Sequence, residues 1–319
     1  MNGRRALRVA TRGSPLAILQ TAKVVALIEG LPSRPRCETL VVRTTGDRLA
    51  DAPIERIGGQ GAFVKEVSAA VADGRADIAV HSAKDMPSAG QPGLVLAAVP
   101  ERLDPRDALV GKRLEDLRPG ATVATGSARR RAQLAWLRPD LTFCELRGNM
   151  ARRVEVAETV GAGVLAAAAL ERLGLGARVT EVLEPATLLP QVGQGALAVE
   201  CRESDTETIE LLGAIDDTAA HAALRAERAF LASLGGGCSL PCGALAVQRE
   251  RAVAPHGALA PPGGEMDGLV IEGMLASRDG HVLLRRRCSG EDPAELGSRL
   301  ATELVEQAGG RFAGDWGAP

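Results

Sequence analysis

Short apolar runs alternate with stretches of helical periodicity through the first two-thirds of the chain. Leu7-Arg8-Val9-Ala10-Thr11 reads as a strand. Ser14-Pro15 then supplies an N-cap hydroxyl and a proline at the first helical position, so an amphipathic helix is expected to about Glu29. Glu38–Val42 reads as a second strand, Phe63–Ala72 as a helix and Asp77–His81 as a third strand, with further apolar runs at Leu94–Val99 and Ala108–Val110. The alternation then restarts: strand Thr122–Ala124, helix Ala128–Leu137, strand Leu141–Leu146, a helix from about Ala151 and a buried strand Gly163–Ala167. Strands alternating with helices predict an α/β architecture with largely parallel sheets, and the restart predicts two similar lobes.

Ala196–Glu200 is a further strand placed to return to the first lobe. From Asp217 the pattern changes: a long helix (Thr218–Leu234), Gly235-Gly236-Gly237, strands at Ala244–Gln248, Leu269–Ala276 and His281–Arg286, and a final amphipathic helix over Pro293–Gln307. This predicts a smaller α+β domain. The expected division is lobe 1 over 1–99 and 197–215, lobe 2 over 103–193, and a C-terminal domain over 217–319. Pro255–Gly268 reads as a Pro- and Gly-rich loop between strands.

Composition narrows the function classes. The chain has 319 residues, 45% hydrophobic and 24% charged, as in ordinary globular proteins. With no Tyr, 2 Trp and 4 Phe, it lacks the aromatic platforms that stack single-stranded nucleic acid. The basic amino terminus is followed by no long apolar run, so no signal peptide is read there, and no stretch is long enough for a membrane span. A cytoplasmic protein with reduced cysteines is expected.

The net charge is −2, yet arginines gather at strand ends: Arg12, Arg129-Arg130-Arg131, Arg147, Arg153 and Arg172. A basic cluster on a near-neutral chain marks a site, and guanidinium forks match carboxylate or phosphate. A small polyanion is the expected ligand. Three strand-end turns combine a hydroxyl or cation with a helix start: Thr11-Arg12-Gly13-Ser14, His81-Ser82-Ala83-Lys84-Asp85-Met86-Pro87, and Thr125-Gly126-Ser127-Ala128-Arg129-Arg130. Lys84-Asp85 has two readings, a solvated ion pair or a carboxylate stabilising positive charge in a cleft. His81 is a general base or plain hydrogen-bonded structure. Cys238 follows three glycines; its C-x3-C spacing with Cys242 and the lack of nearby histidines argue against zinc, leaving a thiol that bonds covalently to something. Cys37, Cys144, Cys201 and Cys288 read as packing residues. Gly193-Gln194-Gly195 and Gly58-Gly59-Gln60-Gly61 read as tight turns or hinges.

Taken in order, these segments resemble the porphobilinogen deaminase (hydroxymethylbilane synthase) family. The resemblance runs through Arg8–Ala17, Ala76–Asp85, Asp104-Pro105-Arg106-Asp107-Ala108, Leu146-Arg147-Gly148-Asn149, Val192–Ala196, Ala226-Glu227-Arg228-Ala229 and Gly236-Gly237-Cys238-Ser239. It implies two lobes like those of periplasmic binding proteins, with the active site between them, and a third domain carrying the cofactor cysteine. It implies a transferase that condenses four porphobilinogen molecules head to tail with loss of ammonia, then hydrolyses the product free as hydroxymethylbilane. The implied cofactor is a dipyrromethane held by a thioether to Cys238. Asp85 matches the catalytic carboxylate. Cys238, Lys84, Ser82, Ser127, Arg129, Arg130, Arg147 and Gly148 match cofactor-binding positions, and Arg12, Ser14, Gln20, Arg153, Arg172 and Gln194 substrate-binding ones. No metal, nucleic acid or membrane partner is implied, and the family suggests a monomer.

Four positions depart from the family pattern. Gln60 replaces a lysine, Gly126 a serine, Arg152 a threonine and Gly235 a glutamate. Two other readings compete: a two-lobed anion-binding protein without catalysis, and a relative that keeps fold and cofactor in another role. Cys238 on a glycine loop distinguishes the first of these, since a plain binding protein has no use for it.

Overall fold

The computed structural model of the chain describes residues 6–33, 35–48, 61, 63–235, 240–248 and 268–307. Its elements run β1 (Leu7–Arg12), α1 (Pro15–Glu29), β2 (Cys37–Val42), α2 (Thr45–Arg48), α3 (Lys65–Ala72), β3 (Ile78–Ser82) and β4 (Leu94–Ala98). Next come β5 (Asp107–Gly111), β6 (Thr122–Ala124), α4 (Ala128–Leu137), β7 (Thr142–Cys144), α5 (Met150–Val160), β8 (Ala162–Ala166), α6 (Ala167–Arg172) and β9 (Val179–Leu183). The chain continues with β10 (Leu197–Arg202), α7 (Thr206–Gly213), α8 (Thr218–Ser233), β11 (Cys242–Gln248), β12 (Leu269–Ala276), β13 (Leu283–Gly290) and α9 (Pro293–Thr302).

Alternation along each strand fixes the layers. Val9, Ile78, Val80 and Val199 pack with Val24 and Ile28 of α1 on one face of the first sheet. Ala10 and Ala79 pack with Val67, Ala70 and Val71 of α3 on the other. In the second sheet Leu109, Val123 and Val164 meet Leu134 of α4, while Ala108, Val110 and Ala124 meet Val154 and Ala157 of α5. Each sheet is thus buried on both faces, which is why its strands read as continuous apolar runs.

The two sheets have the same plan. The first has the order β2-β1-β3-β10-β4 and the second β7-β6-β8-β5-β9. Four strands of each run the same way, and the one in fourth position runs against them. The largely parallel expectation holds with that one exception per sheet. The antiparallel strands mark where the chain crosses between lobes: β5 follows directly on the outgoing crossover from β4, and β10 returns from the second lobe as expected.

The third sheet, β11-β12-β13, is antiparallel. Phe230 of α8 and Leu296 and Leu300 of α9 cover one of its faces. Met274 and Ala276 on the other face pack against Ala132 of α4 and Leu189 of the returning crossover. Arg285 of β13 adds hydrogen bonds to the carbonyls of Pro185 (2.6 Å) and Ala186 (2.6 Å). This small sheet is therefore docked on the second lobe and its crossover. The expected strand Leu141–Leu146 is trimmed to Thr142–Cys144, and β9 and α7 add elements that the apolar pattern did not predict. Cys238, Gln60 and most of Pro255–Gly268 lie outside the described residues.

Candidate active site

Because the strands of a lobe share a direction, their carboxyl ends gather on one edge, where such sheets present ligands. Arg12 ends β1, and its guanidinium sits 4.1 Å over the Phe63 ring. Ser14 caps α1, its hydroxyl accepting from the Ala17 N–H at 3.3 Å. Ser82 ends β3 with its hydroxyl 2.8 Å from Nε2 of buried Gln20. The next three residues, Ala83–Asp85, form a single 3-10 turn that carries Lys84 and Asp85 side by side.

The returning crossover braces that turn. Ala83 N–H donates to the Ala196 carbonyl (3.1 Å), and Gln191 Nε2 donates to the Lys84 carbonyl (3.2 Å). Gly193 has φ +70, and a Cβ there would sit 3.0 Å from Ala83 C and Lys84 N. Only glycine allows both the left-handed backbone and this approach. The Gly193-Gln194-Gly195 motif is thus a brace on the Lys84-Asp85 turn.

The second lobe supplies the facing cations. Ser127 caps α4, accepting from the Arg130 N–H at 3.4 Å. Arg147 and Gly148 precede α5, with Arg147 3.3 Å from Glu145. Arg153, in the first turn of α5, donates its Nε to the Gly148 carbonyl at 2.9 Å. Arg130 grips one carboxylate oxygen of Asp107 with Nε (3.0 Å) and Nη2 (2.7 Å) and also donates to the Val164 carbonyl (2.8 Å). Arg129 is buried; it lies 2.8 Å from the other Asp107 oxygen and donates to the Leu189 carbonyl at 2.6 Å. Gln194, fully buried, donates to Asp107 (2.9 Å) and to the Pro105 carbonyl (2.7 Å). Arg172 ends α6, donates to the Gly195 carbonyl at 2.7 Å and has a buried Nε with no partner.

The electrostatics follow from this crowding. Burial pulls the Lys84 ammonium down to about 8; Arg130 and Arg153 add to the shift, and Asp85 and Asp107 oppose it. Arg153 is lowered by burial, then by Arg130 and Arg147, with Asp85 opposing. Burial lowers Arg172 to about 10. Asp107 behaves in the opposite way: burial alone would raise it, but Arg129 and Arg130 hold it at about 2. The site therefore gathers Lys84, Arg130, Arg147 and Arg153 around Asp85, with Asp107 buried behind Arg130 and Glu145 beside Arg147. A ligand with several carboxylates satisfies this donor set, and Asp85 stands among the cations able to face a positive centre.

Other expectations resolve simply. His81 is buried in structure, 3.1 Å from Glu200, which also accepts from Ser68 at 2.7 Å. Cys37, Cys144, Cys201 and Cys288 all lie in strands. Arg152 points to solvent, 3.4 Å from Glu155, rather than into the cleft. At Gly126 a Cβ would meet Glu145 Oε2 and the Leu146 carbonyl, each at 3.3 Å. Gly235 follows α8 at φ +62, so glycine suits this helix end better than glutamate does.

Sequence reasoning gave no role to two buried carboxylates. Asp107 lay inside the Asp104–Ala108 motif, its sign being an acid placed at the head of a fully apolar run. Glu227 is fully buried on α8; it binds Arg102 through both oxygens (2.7 and 3.2 Å) and accepts from the N–H groups of Gly193 (2.7 Å) and Ala246 (2.9 Å). Its sign was an acid in the helical stripe of Ala220, Ala223, Leu224 and Phe230. Among the described residues there is no His/Cys/Asp/Glu cluster able to hold a metal ion.

Two family models match the chain. "Porphobilinogen deaminase, dipyromethane cofactor binding domain" covers residues 7–210, and "Porphobilinogen deaminase, C-terminal domain" covers residues 221–306. The porphobilinogen deaminase of Roseiflexus castenholzii is 45% identical over 314 residues, spanning 96% of this chain and 98% of that protein. That of Bacillus subtilis is 40% identical over 309 residues, spanning 95% and 94%. Likeness to solved structures is distant. The periplasmic VFT2 domain of Bordetella pertussis BvgS gives a TM-score of 0.37 at 19% identity, covering 66% of this chain and 86% of that one. The periplasmic aliphatic sulphonate binding protein SsuA of Escherichia coli gives 0.37 at 16% identity, covering 72% and 71%.

Proposed function

This chain belongs to the porphobilinogen deaminase family, and from that premise we propose how its own residues carry the reaction. The activity is that of a porphobilinogen deaminase, a transferase of tetrapyrrole synthesis, and its cofactor is dipyrromethane. The finer reading is that four porphobilinogen molecules are joined head to tail on a primer linked to Cys238, then released by hydrolysis as hydroxymethylbilane.

The observation that carries this reading is the Lys84-Asp85 turn of one lobe faced by Arg130 and Arg153 of the other. When bound, dipyrromethane supplies the pyrrole terminus to which each unit is added. Every pyrrole brings an acetate and a propionate, so the ligand is rich in carboxylates, the groups that guanidinium and ammonium side chains bind. In this reading Lys84, Arg130, Arg147 and Gly148 hold the primer's carboxylates, with Ser82 and Ser127 assisting and Arg129 fixing the α4 end from beneath. Arg12, Ser14, Gln20, Arg153, Arg172 and Gln194 serve the incoming substrate. Loss of ammonia from the aminomethyl arm leaves an electron-poor carbon, and the Asp85 carboxylate stabilises that positive charge beside the ring N–H and manages the proton. The brace from Gly193 holds Asp85 in place while this happens.

The division into lobe 1 (1–99 and 197–215), lobe 2 (103–193) and a cofactor-attachment domain (217–319) belongs to the same reading. It is supported by the repeated strand plan and by the separate apolar clusters that each sheet packs upon. Kinship of the lobes with periplasmic binding proteins is part of it too, as are a monomeric state, a cytoplasmic location and the absence of nucleic-acid and membrane partners. Among the described residues no helix is long and apolar enough to cross a membrane.

The test is the intact mass of protein purified from porphobilinogen-producing cells, with Cys238→Ser as control. The expected result is an increment of two linked pyrrole units that the control lacks. An unmodified mass overturns the assigned attachment.

A further inference from the structure

Asp107 is the first residue of β5, the antiparallel strand that the outgoing crossover inserts into the second sheet. It is fully buried, and Arg129 and Arg130 hold its carboxyl well below the usual carboxylate range. Three side chains converge on it. Arg130 and Arg129 come from α4, and Gln194 comes from the returning crossover. Gln194 then extends the chain of contacts, since its Oε1 accepts from the Lys84 ammonium at 3.5 Å. One carboxylate therefore links α4 of the second lobe, both crossovers and the turn that bears Asp85.

Charge explains why an acid is kept there. Without it, Arg129 and Arg130 would lie buried side by side with no counter-ion. The groups facing Lys84 are Asp85 on its own turn, Arg130 of α4, Asp107 of β5 and Arg153 of α5. Arg130 and Arg153 are cations that disfavour a charged lysine, and Asp85 and Asp107 oppose them.

We propose that Asp107 is a positioning residue of the active site: it orients the Arg130 fork and, through Gln194, keeps the Lys84 ammonium charged beside Asp85 for carboxylate binding. The proposal rests on reading the cleft as the pyrrole site. Its physical core, the dependence of Lys84 on Asp107, is measurable without turnover.

The chain has only four lysines, Lys23, Lys65, Lys84 and Lys112, so carbon-13 at lysine Cε gives four separable NMR signals. Lys84→Arg assigns the relevant one. The titrations use full-length protein in the Cys238→Ser background, with intact mass confirming that all samples are in the same state. In Asp107→Asn the Lys84 midpoint is expected to fall by about half a pH unit or more, the other three lysines remaining fixed. A merely structural role would lower the melting temperature and leave the Lys84 midpoint where it was, and that result overturns the proposal. If Asp107→Asn does not fold, Gln194→Met decides. It removes the bridge and keeps Asp107, Arg129 and Arg130, so a lowered Lys84 midpoint supports coupling through Gln194 and an unmoved one overturns it. The masses of the unsubstituted protein report separately on the cofactor assignment, so either reading can fail without the other.

Discussion

Glu227→Gln is the most demanding single change for the way the three sheets are joined. The side chain keeps its shape, so no cavity forms, but one acceptor oxygen becomes an NH2 donor. Arg102 Nη1 and Ala246 N–H share one oxygen, and Arg102 Nη2 and Gly193 N–H share the other. Whichever oxygen is replaced, one guanidinium N–H and one backbone N–H lose their partner together. Arg102 is itself only 10% exposed, so its charge is left stranded in the interior. Breaking such a buried pair costs about 3–5 kcal/mol, and an orphaned amide about 1–3. These effects overlap, and about 4 kcal/mol is the expected total, a large share of the roughly 5–15 that holds a protein together. With three sheets, each packed on its own apolar clusters, a single unfolding midpoint is not a clean measure, so hydrogen exchange read by mass spectrometry is the assay. Peptides covering Gly193 and Ala246 should exchange about a thousandfold faster, since each 1.4 kcal/mol is a factor of about ten. Peptides of β6 and β7 should not change. Less than a tenfold change at both sites would refute the buried-pair argument.

Other changes test the site and its surroundings. Asp85→Asn should cut turnover by about a hundred- to a thousandfold with little change in KM, as for removal of one preorganised charge, and steady-state kinetics within tenfold of the parent would sink the assigned role. Gly193→Ala forces φ +70 on an L side chain and a 3.0 Å approach to the Lys84 turn. It should lower the melting temperature and turnover together, whereas a change in neither would show that the brace is not tight. The Asp107 carboxyl is held at about 2, below its unfolded value near 4, so its contribution is present above about pH 4 and lost as pH falls towards 2. Acid unfolding of Asp107→Asn should lack that loss, on the order of 2 kcal/mol. Burial pushes Cys37, Cys201 and Cys288 up to about 11, so iodoacetamide at pH 8 should modify them on the order of a hundredfold more slowly than free cysteine, read by peptide mapping.

The local signals in the sequence were physical ones, and they survive in the structure. Ser14-Pro15 does cap α1, and the run at Ala196–Glu200 does return to the first sheet. The alternation of Val9 with Ala10 separates two cores, as period two requires. Strand direction was not legible, because β5 and β10 are as apolar as their parallel neighbours and nothing local distinguishes them. The strand-end position of the arginines was visible, but their depth was not: Arg129 and Arg130 both turn inward to Asp107, whereas the side chain of the next residue, Arg131, stays 40% exposed beside Glu145. Pairing of that kind depends on residues far apart in the chain, such as Asp107 with Gln194 and Glu227 with Arg102, and no local pattern encodes it.

The exchange of fourth-position strands sets an order of assembly on the ribosome. All five strands of the second sheet, β5 to β9, are consecutive in the chain, so that sheet has all its strands once residue 183 has emerged. The first sheet began earlier but must wait for β10, which sits between β3 and β4. Until Leu197–Arg202 leaves the exit tunnel, β4 has no hydrogen-bonded neighbour in that sheet and β3 has an open edge. The amino-terminal lobe of a nascent chain therefore finishes after the second lobe, and until β10 arrives its unpaired edge stays exposed.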